Sequence, residues 1–482
     1  MSKHKIIFAA SVLILAAGCE SDPTAAELTR SIEIALSEDS VDVGDTLSLV
    51  ASAKDASDAP VGDAQIEWSS SDPGVLEVVD GMAIGRAAGT VFVRASFGQV
   101  SDSVHVTVEP HVATLEVWPA DTVRIIQGRE ARLILEMFDP EGEAVTHSVR
   151  IESTRPSAVG VDALTLKGIE LGTAEVAISA GKGTSRQIHV EVVNGASFNY
   201  RSLGTFEPRA LNNRGWIAGI VDGHAALWRR GVAERLPIEG VSASAALVLN
   251  DSGMVAGIGT PEDGSAPFIW TWRNGSVRRI PLDDFPGPEG PLQVVTTDIN
   301  SRGEIVGNAA PVGAYREGYR FFHWDGTRLE WLPAGWRIAG INDAGVMVGD
   351  SIVTDGIARE IPRPTESSDF WTATDLNETG RYIGLFQQGA TLCTFTGEGD
   401  QVLETQFAMV PSGLNRYGDY TGSYAGPVSS SGPTVVVREG KSLQMEPPDA
   451  AGYVSYDLND LGQVIIARRT PEYRYWLASP SN

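Results

Sequence analysis

Apolar and polar positions alternate in short runs along most of the chain. Leu47, Leu49 and Ala51 are separated by polar neighbours, as are Val91, Val93 and Ala95, and Val104, Val106 and Val108. Alternation with a period of two predicts strands buried on one face. Turn residues punctuate the runs, and no helical period of apolar positions competes with them. The predicted class is all-β. One stretch breaks the pattern: Ile6 to Ala17 is apolar apart from Ser11, behind Lys3, His4 and Lys5.

The β pattern falls into blocks. Residues 31–110 hold about seven strand-like runs, the number and size of an Ig-like β-sandwich. Its landmarks return about 84 residues later: Gly44 matches Gly128, Asp55 matches Asp139, and Gly89-Thr90 matches Gly172-Thr173. This duplication predicts a second sandwich over 111–194. Val43-Gly44-Asp45-Thr46-Leu47, Trp68-Ser69-Ser70-Ser71-Asp72-Pro73 and Ala88-Gly89-Thr90 resemble bacterial Ig-like domains of group 2. The second copy departs from that pattern, with Ile151 in place of Trp68 and Ser153-Thr154-Arg155-Pro156 in place of the turn. The resemblance implies a stalk or adhesin module.

Residues 195–482 carry a shorter repeat, Asn-x-x-Gly followed by a second Gly four residues later. It occurs at Asn212/Gly215/Gly219, Asn250/Gly253/Gly257, Asn300/Gly303/Gly307, Asn342/Gly345/Gly349, Asn377/Gly380/Gly384 and Asn415/Gly418/Gly422. A seventh, Asn459/Gly462, has Ile466 in place of the last glycine. Leu or Ile precedes each Asn and a β-prone run follows each first Gly, so every unit reads as strand, tight turn, strand. Both glycines read as turn positions. Aromatic strands such as Ala226-Leu227-Trp228 and runs ending in Leu-Pro or Ile-Pro complete four strands per unit, the size of a propeller blade. The last unit lacks a fourth strand, and Asn199 to Leu203 stands unpaired before the first. The expectation is a seven-bladed β-propeller whose last blade is built from both ends. The repeat resembles the bacterial extracellular repeat called HAF, to which no general activity attaches. The residue after Asn varies (Asn213, Asp251, Ser301, Asp343, Glu378, Arg416, Asp460), which favours a turn over a calcium loop.

The apolar run is too short to span a bilayer and reads as a secretory signal over residues 1–18. Leu15-Ala16-Ala17-Gly18-Cys19 resembles the bacterial lipobox, with Ala16 where Leu is usual. That resemblance implies lipidation of Cys19, a tether over 19–30 and membrane attachment in the cell envelope. Glu20 is not the inner-membrane retention signal, which favours the outer membrane. With Cys19 acylated, Cys393 has no partner and reads as a buried strand residue.

Charge and composition narrow the function. Lys+Arg 37 against Asp+Glu 62 gives −25, which repels phosphate and excludes a nucleic-acid partner. Residues 1–194 carry 14 − 29 = −15 and the rest −10. Acidic turns such as Glu38-Asp39 admit calcium as the sole cofactor idea, with scattered solvated acids as the default. The seven histidines show no metal-ligand spacing, and no nucleophile elbow, phosphate loop or dinucleotide fingerprint occurs. The 22 Arg and single Lys after residue 194 suggest either an anion site or a GC-rich genome, and the second reading is favoured. Trp228, Trp270, Trp324 and Trp476 sit at equivalent repeat positions and read as core. Trp216, Trp331, Trp336 and Trp371 fall outside that register and are the candidate ligand contacts, together with the 283–290 insertion. The leading expectation is a non-catalytic, lipid-anchored envelope protein whose propeller binds a protein or glycan. A propeller polysaccharide hydrolase or lyase is the first rival, and a structural envelope assembly component the second.

Overall fold

The computed structural model describes residues 29–482 apart from 63, 121, 283–284, 287–290, 315–317, 367, 369, 390, 407–408, 426–430, 448–452 and 469–472. Cys19, the signal 1–18, most of the tether and most of the 283–290 insertion lie outside the described residues. The described elements are all strands. By compactness the chain divides into two units, one of residues 1–115, 137–149 and 180–184 and one of 116–136, 150–179 and 185–482.

The first unit contains two four-stranded sheets. One runs Ser31–Leu36, Thr46–Lys54, Met82–Gly85, Leu76–Val79, and the other Ser40–Asp42, Val100–Glu109, Gly89–Phe97, Glu67–Ser70. Alternation places Leu47, Leu49, Val91, Val93, Val106 and Val108 in one shared core, with Trp68 half-buried against it. This is an Ig-like sandwich.

Between residues 123 and 193, Val123–Ile126, Thr184–Val193, Gly172–Ala180 and Val149–Ser153 form one sheet, and Glu130–Arg132, Thr165–Gly168 and Val159–Asp162 another. Val123, Ile125, Leu166, Val176, Ile178 and Val190 are buried there.

Among the described residues, those from 197 to 482 form seven antiparallel four-stranded sheets. The first consists of Glu207–Leu211, Ile217–Val221, His224–Arg229 and Val232–Arg235. Five more repeat the plan in sequence order. The seventh joins both ends of the region: Tyr453–Leu458, Val464–Arg468 and Arg474–Ser481 take Ser197–Ser202 as their fourth strand, with Tyr200 opposite Ala478. The opening strand of each sheet contacts that of the next, and Tyr453–Leu458 contacts Glu207–Leu211, so the order of contacts is cyclic.

The second repeat glycine is not a turn residue. It sits inside the second strand, opposite a bulge in the first. A Cβ there would overlap the Ala245 carbonyl oxygen at Gly257 and that of Val295 at Gly307. The bulge pushes that carbonyl toward the neighbouring strand, and only a residue without a side chain admits it.

Asp419 ties the two parts of the second unit together. It accepts from Arg129 and Arg438, and its side chain is 2% exposed. Arg438 also donates to the Gly195 carbonyl at 2.8 Å.

Candidate functional site: an acidic hollow shared by seven sheets

The seven Asn-x-x-Gly turns have one construction. In each, the Gly N–H donates to the Asn carbonyl, and the Asn side-chain oxygen accepts from the N–H four residues on. The first glycine has φ between 73° at Gly462 and 89° at Gly380, the left-handed region that favours Gly; Gly215, Gly253, Gly303, Gly345 and Gly418 fall between them.

These glycines carry a second constraint, because a neighbouring turn also crowds several of them. A Cβ on Gly253 would come 2.9 Å from the Trp216 ring, one on Gly303 2.7 Å from the Met254 sulfur, and one on Gly345 3.0 Å from the Arg302 guanidinium. On Gly418 it would overlap the Arg381 guanidinium. In each case the crowding side chain flanks the glycine of the preceding turn. The glycine is thus the seat on which the previous sheet's turn rests, a second reason for having no side chain there. At Gly462 the crowding group is Ile126, at 3.0 Å, from outside the repeats.

The Asn amide N–H is left to reach outward, and it donates to the backbone carbonyl of the next Asn. Asn212 donates to Asn250, then on through Asn300, Asn342, Asn377 and Asn415 to Asn459, which donates back to Asn212 at 3.0 Å. All seven asparagines are buried. A buried amide without a partner costs roughly 1–3 kcal/mol, so each turn is satisfied only while its neighbour is in place.

The turns surround a hollow of about 220 Å³ rich in acids. Asp298, Asp375 and Asp457 stand two residues before Asn in the third, fifth and seventh sheets. One oxygen of each accepts the N–H of the following residue. The other crosses to the next sheet: Asp298 to Ile341 at 2.8 Å, Asp375 to Leu414 at 2.9 Å, Asp457 to Leu211 at 2.7 Å. The receiving sheets carry Gly340, Gly413 and Ala210 at the equivalent position. A small residue leaves room there: a Cβ on Gly340 would meet the Leu376 backbone nitrogen at 3.3 Å and the Asp298 carboxylate at 3.4 Å. Burial first, then mutual repulsion, pushes the Asp298 carboxyl up to about 7 despite its backbone donors. Asp375 and Asp457 are driven to about 7 by the same causes. Solvent still reaches all three, which are half-buried by surface.

A second tier uses the variable residue after Asn. Asp251 accepts from the Asn213 N–H, Asp343 from Ser301, Glu378 from Asp343, and Asp460 from Arg416. Burial pushes the Glu378 carboxyl up to about 7 as well, with the charges of Asp343, Asp298 and Asp251 adding to it. This is why the position tolerates Asn, Ser and Arg: those sheets donate a backbone N–H to a neighbour's carboxylate.

The sequence-derived tryptophan contacts do not assemble. Trp216, Trp331, Trp336 and Trp371 belong to four separate core clusters. Trp216 is 4% exposed and meets Trp118 edge-on at 5.0 Å. Trp331 packs against Phe285 and Phe322, and the Trp371 indole donates to the Ile361 carbonyl at 3.0 Å. Cys393 is fully buried in the same cluster as Trp371.

One charged cluster had no signal in histidine spacing. In the first unit, His147 has its side chain 3% exposed, Nε2 2.9 Å from Asp42 and Nδ1 2.9 Å from Glu109. Its Nδ1 also lies 2.6 Å from the Ser148 carbonyl oxygen. Among the described residues this is the only set of three metal-ligand types with atoms within 4.8 Å of one another. The acids of the hollow form no such set. The two carboxylates face opposite ring nitrogens, so one ion could not take both through the ring, and an imidazolium satisfies every contact. Burial lowers the pKa, but the Ser148 carbonyl, the Asp42 hydrogen bond and the Glu109 charge outweigh it and raise it above 6.5. The folded pKa exceeds the unfolded one. The cluster's stabilisation is therefore complete below about pH 6.5 and lost as pH rises through the folded value. Lys182 and Asp45, paired at 3.2 Å, lie alongside. His147→Gln is expected to lower the urea midpoint of the first unit at pH 5.5 and to match wild type near pH 9. An equal loss at both pH values would reject the imidazolium.

The sequence matches no family pattern and no curated relative. Several solved β-rich structures are similar in part. Domains 4 and 5 of the S-layer protein SbsC are 19% identical, covering 34% of this chain and 98% of that one, with a TM-score of 0.17. The Yersinia pseudotuberculosis adhesin InvE is 14% identical, covering 37% and 67%, with a TM-score of 0.19. The C-terminal fragment of intimin, solved with the intimin-binding domain of its translocated receptor, is 12% identical, covering 42% and 93%, with a TM-score of 0.19. These neighbours are surface-layer and adhesin domains.

Proposed function

We propose that residues 195–482 close into a seven-bladed β-propeller acting as a non-catalytic binding platform in the cell envelope. Ig-like modules over 31–110 and 111–194 hold it away from a membrane, to which a lipid on Cys19 attaches the chain. The observation that carries the non-catalytic reading is the engagement of Asp298, Asp375 and Asp457. Each accepts a backbone N–H on both carboxylate oxygens, one of them from the next sheet. Such carboxylates fasten the scaffold. A general acid or nucleophile needs an oxygen free to meet substrate. The cyclic asparagine chain supports the closed ring, since a closed ring has no sheet edge to protect.

A propeller hydrolase or lyase draws on the same acids, because a carboxyl raised to about 7 can supply a proton near neutral pH. The discriminating experiment applies the intact chain to a polysaccharide panel, scoring release of new chain ends beside retention on glycan and envelope-protein arrays. Retention without turnover is expected. Turnover that Asp375→Asn abolishes while the fold survives would overturn the binding reading. The anchor has its own test: palmitate labelling should be present in the wild type and absent in Cys19→Ala.

A further inference from the structure

A second cavity, in the second unit, has the opposite electrical character. It measures about 310 Å³, within the roughly 300–1,000 Å³ of ligand pockets. Arg124, Arg201, Arg214 and Arg230 line it, and among the described residues no carboxylate does. In a chain of net charge −25 this is a cationic concavity set in an anion-repelling field.

The guanidiniums are held in place from behind. Arg230 lies 4.6 Å over the Trp118 ring, Arg214 4.9 Å over Trp216, and Arg201 4.9 Å over Trp228. All three indoles are under 7% exposed. Glutamates outside the lining fix three of the arginines: Glu191 holds Arg124 at 2.7 Å, Glu136 holds Arg214 at 2.8 Å, and Glu116 holds Arg230 at 3.4 Å. Stacking on indoles and pairing at the back cost these side chains their freedom before any ligand arrives, which is preorganisation for an anion. It also gives Trp216 a role, as the floor under Arg214.

We propose that this cavity binds a carboxylated sugar, a hexuronate residue of an acidic glycan. The proposal rests on the binding-platform reading and names the ligand class. A guanidinium matches a carboxylate in bidentate geometry. Thr122, Asn199, Gln463 and Ser479 add hydroxyl and amide groups to the wall, partners for sugar hydroxyls. A bare inorganic anion leaves those groups and most of the volume unused. Three arginines already share their charge with a glutamate, which suits one carboxylate better than a polyphosphate.

The test titrates the full chain with trigalacturonate and with a neutral trihexose by calorimetry. The acid sugar is expected to bind about ten-fold or more tightly than the neutral one, and to weaken with added salt. Arg201→Gln and Arg230→Gln, both on exposed side chains, should each weaken trigalacturonate about ten-fold without moving the melting midpoint. Equal affinity for the neutral sugar, unchanged binding in both variants, or sulfate binding as tightly as the uronate would overturn the proposal. If another glycan or an envelope protein binds the wild type and both variants alike, the platform reading stands and only this cavity's assignment falls.

Discussion

Removing residues 197–205 is expected to abolish cooperative unfolding of the large unit or lower its melting midpoint by about 10 °C. The strand Ser197–Ser202 makes six pairings with the last strand of the chain, Ser197 opposite Ser481 through Ser202 opposite Trp476. Phe198 and Tyr200 pack against the cluster that holds Trp476, Val464 and Tyr453. Leu203, 6% exposed, enters the cluster of the first and seventh sheets with Phe206 and Ile465. Losing one buried leucine alone costs about 2–5 kcal/mol, and about 1 kcal/mol moves the midpoint of a domain this large by roughly 2–4 °C. The deletion also bares the edge of Arg474–Ser481, a row of unpaired N–H and C=O groups that invites association. A synthetic peptide of residues 197–205 should restore part of the midpoint. Scanning calorimetry decides it: a truncated chain that melts like the wild type would mean that the two ends do not hold each other.

Much of this arrangement was legible because its parts are local. A turn needs Asn to bond its own backbone and Gly to take positive φ, so seven copies announce seven hairpins. What the motif could not announce is where the asparagine amide points, because its acceptor lies 35 to 50 residues further on in six copies and 247 residues back in the seventh. The same distance hid the second duty of the first glycine, since the side chains that crowd Gly253, Gly303, Gly345 and Gly418 belong to the unit before. The second glycine was visible but misread. Its requirement comes from a carbonyl on the paired strand, which a one-dimensional pattern does not contain. Asp298, Asp375 and Asp457 were missed although they stand in register, alternating with Gly340, Gly413 and Ala210. Asp in one sheet and a small residue in the next is the trace a cross-sheet hydrogen bond leaves. The arginine-lined cavity and the His147 cluster left less. Their members come from segments far apart, and arginine abundance has a compositional explanation that hides it. Trp216 stands outside the repeat register and is nonetheless buried, because its partner Trp118 lies outside the repeats.

The same three aspartates should make the large unit less stable as pH rises from about 5 to 8. In the unfolded chain an aspartate titrates at its ordinary 3.8 and is ionised throughout this range. In the fold the three carboxyls are raised to about 7. The folded state therefore holds protons that the unfolded state has released, and stability falls with pH wherever it does so. The decline begins near the unfolded value and levels off above the folded one. A tenfold change in proton affinity corresponds to about 1.4 kcal/mol, so three groups together make a fall of several kcal/mol. Asp375→Asn separates this from any general effect of alkalinity. The amide keeps one acceptor oxygen but turns an NH2 toward either the Leu376 or the Leu414 N–H, at a cost of roughly 1–3 kcal/mol at pH 5. It also removes one of three mutually repelling charges at pH 8. The variant should be less stable than the wild type at pH 5, and the gap should narrow or reverse by pH 8. Urea midpoints at half-unit steps of pH measure both curves. Parallel curves, or a wild type equally stable at both ends, would mean that the carboxyls are ionised in the fold and that their backbone donors outweigh burial and repulsion.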